Sequence, residues 1–389
     1  MERVKIVYSF NKRGYEAEYW RREIAASSGG SLVFVPFNHD PYLDYELYTR
    51  AQLLDNLYFA RDARLVRMYS DLEAVLIAAD ADALVVDNCF PYHPEFLRRL
   101  QVYKVLRTTD GPITAYDRDI AYLHAYDHVL FHSPAYSPDM GMAEKLAYCG
   151  AKRYDFVPLG LFDAAFRPDR FEDDLFAQPR DVDIVFVGSQ VVGKMSLVAA
   201  VKRAFGDRFR LHGATTPKRN LYFNLVHGFP GWVSKLPYDQ VVPLYQRAKI
   251  GFNIHNRGKY TVGSYRLFNL PGNGVMQISD GGQYLDSFFR TGEEIAGYEG
   301  ADELVEKLHY YLEHESERVE MARAGFRRVM REYRFRDCMK RIASCIAGGM
   351  SGRPRDAQAA EQQRAGAPQP SDDGAPRGRD ARGGGGGPA

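Results

Sequence analysis

The segment Asp183-Ile-Val-Phe-Val-Gly-Ser-Gln-Val-Val-Gly-Lys194 indicates the fold class most clearly. Its first five residues are mostly apolar and β-branched, which predicts a buried strand. Gly188 then predicts a turn, and the residues from Ser196 to Phe205 predict a helix. A buried strand followed by a glycine turn and a helix is typical of a parallel sheet that is covered on both faces.

The same alternation extends in both directions along the chain. In the first half the sequence predicts six strands: Val4–Ser9, Ser31–Pro36, Ala83–Asp87, Tyr103–Thr108, His128–His132 and Tyr154–Pro158. In the second half it predicts five: Asp183–Val187, Phe209–Gly213, Ala248–His255, Val275–Asp280 and Glu294–Tyr298. Helical segments lie between them, including Tyr15–Ala26, Ser70–Ala79 and Asp239–Arg247. We therefore predict an α/β protein with two doubly wound, Rossmann-like halves and ligand sites at the carboxyl ends of the strands.

The expected organisation comprises five segments. They are a first domain over 1–165, a linker over 166–181, a second domain over 182–333, a closing helix over 334–347 and a disordered tail over 348–389. The tail is rich in Gly, Pro and Arg and ends in a run of glycines, so it lacks the apolar surface that would offset the entropy of ordering.

Composition excludes several classes of protein. The 51 Lys and Arg residues balance 50 Asp and Glu residues, and this net charge of +1 argues against a dedicated nucleic-acid binder. Four cysteines in 389 residues do not make a disulfide framework. No apolar run approaches the roughly 20 residues that span a bilayer, and no signal peptide precedes the first strand. We expect a cytoplasmic protein without a membrane span.

The turn at Gly188–Lys194 nearly matches the P-loop pattern G-x-x-x-x-G-K-[ST]. The next residue is Met195, which lacks the hydroxyl that holds magnesium in a true P-loop. A nucleotidase P-loop and a plain glycine turn both stay open as interpretations. The favoured one is a phosphate site, in which backbone N–H groups at the start of a helix act together with Lys194.

A second basic cluster follows the strand that ends near His255. Between His255 and Arg266 the chain carries Arg257 and Lys259, and Gly263 and Ser264 precede a helix-like segment. Cations, a glycine and a serine at a helix start suit a diphosphate, although a solvated basic loop has the same composition.

Carboxylates at strand ends are the candidate bases. Asp87 and Asp110 follow the third and fourth strands, and His93 lies nearby. Either carboxylate could take a proton from an acceptor hydroxyl, and either could equally be a turn residue. Asp-x-Asp pairs occur at Asp80–Asp82, Asp117–Asp119 and Asp181–Asp183, but no zinc-type ligand spacing accompanies them. We expect no metal site.

The segment Tyr265-Arg-Leu-Phe-Asn-Leu-Pro-Gly-Asn-Gly-Val-Met-Gln-Ile-Ser-Asp280 resembles the glycosyltransferases of the spore maturation protein CgeB-like group. Phe288–Ile295, Ala301–Leu312, Arg318, Ala322–Val329, Phe186–Ser189 and Ala248–Asn256 extend the resemblance over roughly 183–342. This group is similar to the GT-B glycosyltransferases, which have two Rossmann-like domains facing a cleft. The resemblance implies that the second domain binds the donor and that Phe335–Ala347 crosses back onto the first. It also implies that no metal or other cofactor is needed.

The resemblance and the motifs together imply a transferase acting on a nucleoside diphosphate sugar and an unidentified acceptor. Lys194 and Arg266 are expected to stabilise the departing diphosphate, and Asp110, with Asp87 behind it, is the expected base. The remaining donor-site residues are Gly188, Ser189, His255, Gly263, Ser264 and, at the ribose position where related enzymes have Glu, Asn269. A nucleotide-sugar epimerase and a non-catalytic nucleotide-sugar-binding protein remain as alternatives.

Overall fold

In the computed structural model of the chain, a six-stranded parallel sheet forms the centre of the first lobe. Its strand order is β2-β1-β3-β4-β5-β6. The strands are Val4–Phe10 (β1), Leu32–Asn38 (β2), Ala83–Asp87 (β3), Tyr103–Arg107 (β4), His128–Phe131 (β5) and Tyr154–Phe156 (β6). Every residue of the central strand β3 is buried, as expected for a parallel sheet with helices on both faces.

The structure describes residues 3–43, 62–87, 92–108, 122–132, 142–161, 172–188, 192–213, 215–257, 261–262 and 264–351. Both lobes belong to one unit, Met1–Gly349, and Met350–Ala389 forms a second. Among the described residues, no helix combines the length and the apolar character that crossing a membrane requires.

The second lobe contains a five-stranded parallel sheet with the order β13-β12-β9-β7-β8. Its strands are Val182–Val187 (β7), Phe209–His212 (β8), Ala248–Asn253 (β9), Met276–Ser279 (β12) and Ala296–Gly297 (β13). A short antiparallel hairpin of Asn256–Arg257 (β10) and Thr261–Val262 (β11) follows β9, where the sequence analysis expected only a basic loop. The two parallel sheets confirm the predicted α/β class.

The helices pack on both sheets and largely follow the predicted alternation. They are Gly14–Ala26 (α1), Ala63–Ala79 (α2), Pro94–Arg99 (α3), Met142–Tyr148 (α4), Glu172–Ala177 (α5), Val192–Phe205 (α6), Pro217–His227 (α7), Val241–Arg247 (α8), Arg266–Gly272 (α9), Gln283–Asp286 (α10), Ala301–Glu313 (α11), Glu315–Glu332 (α12) and Phe335–Ser351 (α13). Helix α5 lies within the segment expected to be a linker, and α7 was not predicted at all.

Helix α2 begins at Ala63, seven residues before the predicted start at Ser70. Asp62 caps it, because its carboxylate accepts hydrogen bonds from the backbone N–H groups of Arg64 and Leu65. The added turns bury Leu65 and Met68 in the core of the first lobe. The cap and this buried face together account for the earlier start.

The closing helix α13 packs against the first lobe. The ring of Phe335 meets the edge of Trp20 at 5.1 Å between centroids, and Arg336 Nε lies 2.9 Å from a carboxylate oxygen of Glu23. Near its end, a Cβ at position 349 would overlap the ring of Tyr103, so glycine there permits the close approach. The helix continues to Ser351, four residues past the predicted end at 347.

Candidate active site

Polar and charged side chains gather at the carboxyl ends of the adjacent strands β12, β9 and β7. Asn253 ends β9, Asp280 directly follows β12, and Gly188 directly follows β7. Lys194 comes from the first turn of α6 and Arg266 begins α9. The fold therefore brings the two basic motifs of the sequence together at one edge of the second sheet.

The guanidinium of Arg266 is held in place by neighbouring acceptors. Its Nε donates to the carbonyl oxygen of Val187 at 2.9 Å, and its Nη1 donates to Asn253 Oδ1 at 2.7 Å. The guanidinium carbon lies 4.3 Å from the centroid of the Phe186 ring, which is a cation–π contact. Burial lowers the pKa of Arg266 below its ordinary value. These contacts orient a desolvated positive charge toward the end of the sheet.

Behind Arg266 lies a buried hydrogen-bond chain. Since Asn253 Oδ1 accepts from Arg266, its amide nitrogen faces His255 Nε2 at 3.2 Å and donates to it. The ring proton of His255 must then be on Nδ1, which lies 2.8 Å from Asp280 Oδ1. The backbone N–H of His255 donates to the same oxygen at 2.8 Å. His255 thus supports Asn253 and, through it, Arg266.

Lys194 is buried, with 8% of its surface exposed. Burial and the nearby charge of Arg266 lower its pKa to about 8, and the charge of Asp280 opposes this shift only in part. Within the described ranges of the chain, no hydrogen bond or ion pair engages its ammonium group. A buried ammonium ion in this state is costly unless an anion joins it.

Gly188 allows Arg266 to approach the end of β7. A Cβ at position 188 would overlap the Arg266 guanidinium, so any larger residue would displace it. Ser264 has a local role as well, because its hydroxyl oxygen accepts the backbone N–H of Arg266 at 3.2 Å. Ser189, Gly263 and Asp110 lie outside the described residues, and so does the pair Asp117–Asp119.

Asn269 lies on α9, one turn after Tyr265. Its backbone N–H donates to the Tyr265 carbonyl at 2.9 Å, and its own carbonyl oxygen accepts from the Asn273 amide at 2.8 Å. Its side chain is half-buried. The residue is therefore on the same short helix that Arg266 begins.

The first lobe has its own polar cluster at the carboxyl ends of β1, β3 and β4. Arg107 Nη1 donates to the Tyr8 hydroxyl at 2.6 Å, and that hydroxyl donates to Asp87 Oδ2 at 3.4 Å. Burial opposes the charge of Arg107, but Tyr8, Tyr265 and Asp87 outweigh it and raise the pKa of the guanidinium. Because Tyr265 directly precedes Arg266, this cluster and the second-lobe site are neighbours.

Several residues singled out in the sequence have structural roles. His93 caps α3, since its Nδ1 accepts the backbone N–H of Glu95 at 3.2 Å. Asp80 pairs with Lys5, and Asp183 pairs with Arg208 and Lys249. Across the described ranges, no group of three or more His, Cys, Asp or Glu side chains is arranged to hold a metal ion.

The sequence patterns did not indicate a role for Asn253 or Asp280. Both lie at the ends of neighbouring strands, and Asn253 is paired in register with Ser279 across β9 and β12. The signal that could have found them is this shared edge, since parallel neighbours end together. Tyr8 and Arg107 were missed for a different reason, because each lies inside a strand that otherwise appears to be core.

Comparisons with known proteins agree with this architecture. A sucrose-phosphate synthase from Thermosynechococcus elongatus superposes with a TM-score of 0.58 at 11% identity, over 90% of this chain and 100% of its own. HepE of Anabaena, solved with UDP-glucose, gives a TM-score of 0.58 at 11% identity, over 89% of this chain and 100% of its own. A glycosyltransferase from Rickettsia africae gives a TM-score of 0.55 at 9% identity, over 91% of this chain and 100% of its own. The chain has a GT-B fold.

The family comparison concerns the second lobe of this GT-B chain. A family model described as glycosyl transferase-like matches residues 194–344, a range that begins at Lys194 and includes Arg266. No curated protein sequence matches the chain significantly. The similarity to a known family is therefore located in the lobe that carries Lys194 and Arg266.

Proposed function

We propose that this GT-B protein transfers a sugar from a nucleoside diphosphate sugar to an acceptor, with Lys194 and Arg266 binding the diphosphate. The proposal depends mainly on the environment of Lys194. Lys194 is buried beside the half-buried guanidinium of Arg266, and no described side chain or carbonyl bonds its ammonium group. Such a pair of like charges is stabilised by a bound dianion, and a diphosphate supplies one.

The same arrangement suits the chemistry of sugar transfer. Negative charge grows on the diphosphate as the bond to the sugar breaks, and positive charges already fixed in place stabilise it without reorganisation. Arg266 is fixed by Val187 and Asn253, and His255 and Asp280 fix Asn253 in turn. In this proposal Lys194 and Arg266 contact the reacting group, whereas His255 is a positioning residue.

We infer a hexosyltransferase of the CgeB-like group from the resemblance carried by Tyr265–Asp280. The glycosyl transferase-like match over residues 194–344 supports the transferase class. Asn269 would hydrogen-bond the donor ribose as an amide. The solved complex of HepE with UDP-glucose makes a uridine diphosphate sugar the first donor to test. We further propose that Lys194 and Arg266 neutralise the diphosphate without a metal ion.

A panel of nucleoside diphosphate sugars, assayed for released diphosphate with and without EDTA, tests this function. We expect one donor to release diphosphate, slowly to water and faster once a suitable acceptor is added, with equal rates in EDTA. Conversion of the donor to an isomer without diphosphate release would instead indicate an epimerase. Binding of nucleoside diphosphates without any turnover of any donor would contradict an enzymatic role.

The Gly188→Ala variant should bind nucleoside diphosphates on the order of tenfold more weakly, because the new methyl group displaces the Arg266 guanidinium from the Val187 carbonyl and Asn253 Oδ1. Isothermal titration with UDP measures the change. Gly297→Ala, in the same sheet, is the matched control, because a Cβ there meets its nearest atom at an ordinary 3.5 Å. Equal affinity of the Gly188 variant and the wild-type protein would contradict the role of Gly188.

We propose Asp110 as the base that takes the proton from the acceptor hydroxyl. Asp110→Asn should lower the rate of transfer by about 100-fold or more while donor hydrolysis changes less, because water needs no such positioned base. Asp87→Asn is the comparison variant, since Asp87 accepts a hydrogen bond from Tyr8 in the first-lobe cluster. Full transferase activity in correctly folded Asp110→Asn protein would remove this assignment.

A further inference from the structure

Helix α7 exposes four of its five large apolar residues to solvent, and only Phe223 is buried. Eleven large hydrophobic side chains are exposed among the described residues, and five of them lie between positions 221 and 232. They are Leu221, Tyr222, Leu225, Val226 and Trp232, with exposed fractions from 41% to 76%. The other six are scattered over both lobes. A contiguous apolar patch of this kind marks an interaction surface, whereas single exposed residues do not.

The spacing of these residues places four of them on one side of the helix. Leu221 and Leu225 are one turn apart, and so are Tyr222 and Val226. The opposite side buries Asn220 and Phe223 against the lobe. Most of the apolar residues of α7 therefore lie on its solvent side, whereas an ordinary surface helix buries its apolar row.

Trp232 belongs to a segment that is fastened to the same helix. Asn220 exchanges two hydrogen bonds of 3.0 Å with the backbone of Val233, and Asn224 donates to the carbonyls of Phe229 and Gly231 at 2.6 and 2.8 Å. Phe229 and Val233 are buried. The turn is thus held on both sides of Trp232 while the indole itself is 61% exposed.

The formally charged residues between Arg208 and Tyr238 are all basic. From Arg208 to Tyr238 the sequence contains no Asp or Glu, and it contains five basic residues, Arg208, Arg210, Lys218, Arg219 and Lys235. Arg208 pairs with Asp183. Lys218, Arg219 and Lys235 are exposed and lie within a few residues of the exposed apolar side chains in the sequence. A surface that combines exposed Leu and Trp with exposed Lys and Arg has the composition of an interfacial membrane-binding element.

We propose that this surface, comprising α7 and the turn through Lys235, binds the surface of a membrane rich in anionic lipid. Apolar side chains would enter the region between headgroups and acyl chains, and the basic side chains would lie among the anionic headgroups. A second copy of this chain is a poorer occupant, because a twofold interface would bring the exposed Lys218 and Lys235 of one copy toward the same two lysines of the other.

The test uses the full chain with vesicles of phosphatidylcholine alone or mixed with phosphatidylglycerol. We expect co-sedimentation with the mixed vesicles, weaker binding at high salt, and little binding to pure phosphatidylcholine. Trp20 is fully buried, and it and Trp232 are the two tryptophans of the chain, so a blue shift of emission on binding reports on Trp232. The Trp232→Phe variant should lose this shift.

Two variants separate the apolar and electrostatic contributions. Leu225→Glu, and the double variant Lys218→Glu with Lys235→Glu, should each weaken binding to the mixed vesicles on the order of tenfold or more. Ile77→Glu is the matched control, since Ile77 is an exposed apolar residue on α2 of the first lobe. This variant should bind the mixed vesicles as the wild type does.

Binding that shows no preference for phosphatidylglycerol would overturn the proposal. So would full binding by both the Leu225→Glu variant and the variant with two basic residues replaced. So would sedimentation equilibrium that shows a dimer dissociated by Leu225→Glu, since the surface would then join two copies of the chain. The assay contains no nucleotide, so its result is independent of the proposed sugar transfer.

Discussion

Replacing Lys194 with methionine will stabilise the folded protein and at the same time abolish its binding of nucleoside diphosphates. Burial and the charge of Arg266 lower the pKa of Lys194 from 10.5 to about 8. At 1.36 kcal/mol per pKa unit, charging this lysine in the folded state costs about 3 kcal/mol relative to the unfolded chain. Methionine fills a similar volume and carries no charge, so it removes that cost.

The pH dependence of stability identifies the source of this effect. Below about pH 8 the lysine is protonated in both states, and its full cost is present. Between about pH 8 and 10.5 the folded protein loses the proton while the unfolded chain keeps it, so the wild type gains stability as pH rises. The difference in free energy of unfolding between Lys194→Met and the wild type should therefore shrink across this range.

Urea unfolding at pH 7 and pH 10, together with calorimetric titration of UDP at pH 7, measures both parts of the prediction. Lys202→Met is the matched control, because Lys202 lies on the same helix but donates to the Gly206 carbonyl and lies near Asp207. That control should retain UDP binding. A Lys194 variant that binds UDP as tightly as the wild type would show that this lysine does not hold the diphosphate.

Replacing Arg266 with alanine should lower the rate of sugar transfer roughly 30- to 1,000-fold, which corresponds to a loss of about 2–4 kcal/mol of transition-state stabilisation. The loss should appear mainly in kcat, because charge on the diphosphate is greatest as the glycosidic bond breaks. Arg266→Lys should recover only part of it. A lysine keeps the charge but cannot donate to Val187 and Asn253 in the geometry of the planar guanidinium.

Arg247→Ala is the control for the arginine series. Arg247 is an exposed residue that pairs with Asp181, and both precede strands, at the amino edge of the same sheet. Its removal should leave kcat and KM unchanged. Wild-type kinetics in a correctly folded Arg266→Ala protein would exclude the guanidinium from transition-state stabilisation.

The sequence predicted the strands well because buried parallel strands are short, apolar and β-branched. The prediction at Val4–Ser9 differs from β1 by one residue, and Ala83–Asp87 matches β3 at both ends. Helix α7 was missed because Leu221, Leu225 and their neighbours face solvent, so the apolar pattern did not indicate a core-facing helix. The pair Thr216–Pro217 was the available signal, as a cap followed by proline begins many helices.

The candidate site was predictable only in part. The rule that ligands bind at the carboxyl ends of parallel strands placed Lys194 and Arg266 at one edge, and the structure brings them into electrostatic contact. The series of hydrogen bonds from Asp280 through His255 to Asn253 was not predictable, because it depends on the register of β9 against β12 and on side-chain hydrogen bonds across them. Local sequence patterns carry no information about that register.

A crystal structure of the protein with a bound nucleoside diphosphate would show whether Lys194 and Arg266 hold the diphosphate. We expect phosphate oxygens within hydrogen-bond distance of Lys194 Nζ and of the Arg266 guanidinium, with Arg266 still bonded to Asn253. A diphosphate bound elsewhere on the protein, with Lys194 and Arg266 contacting none of its oxygens, would contradict this expectation.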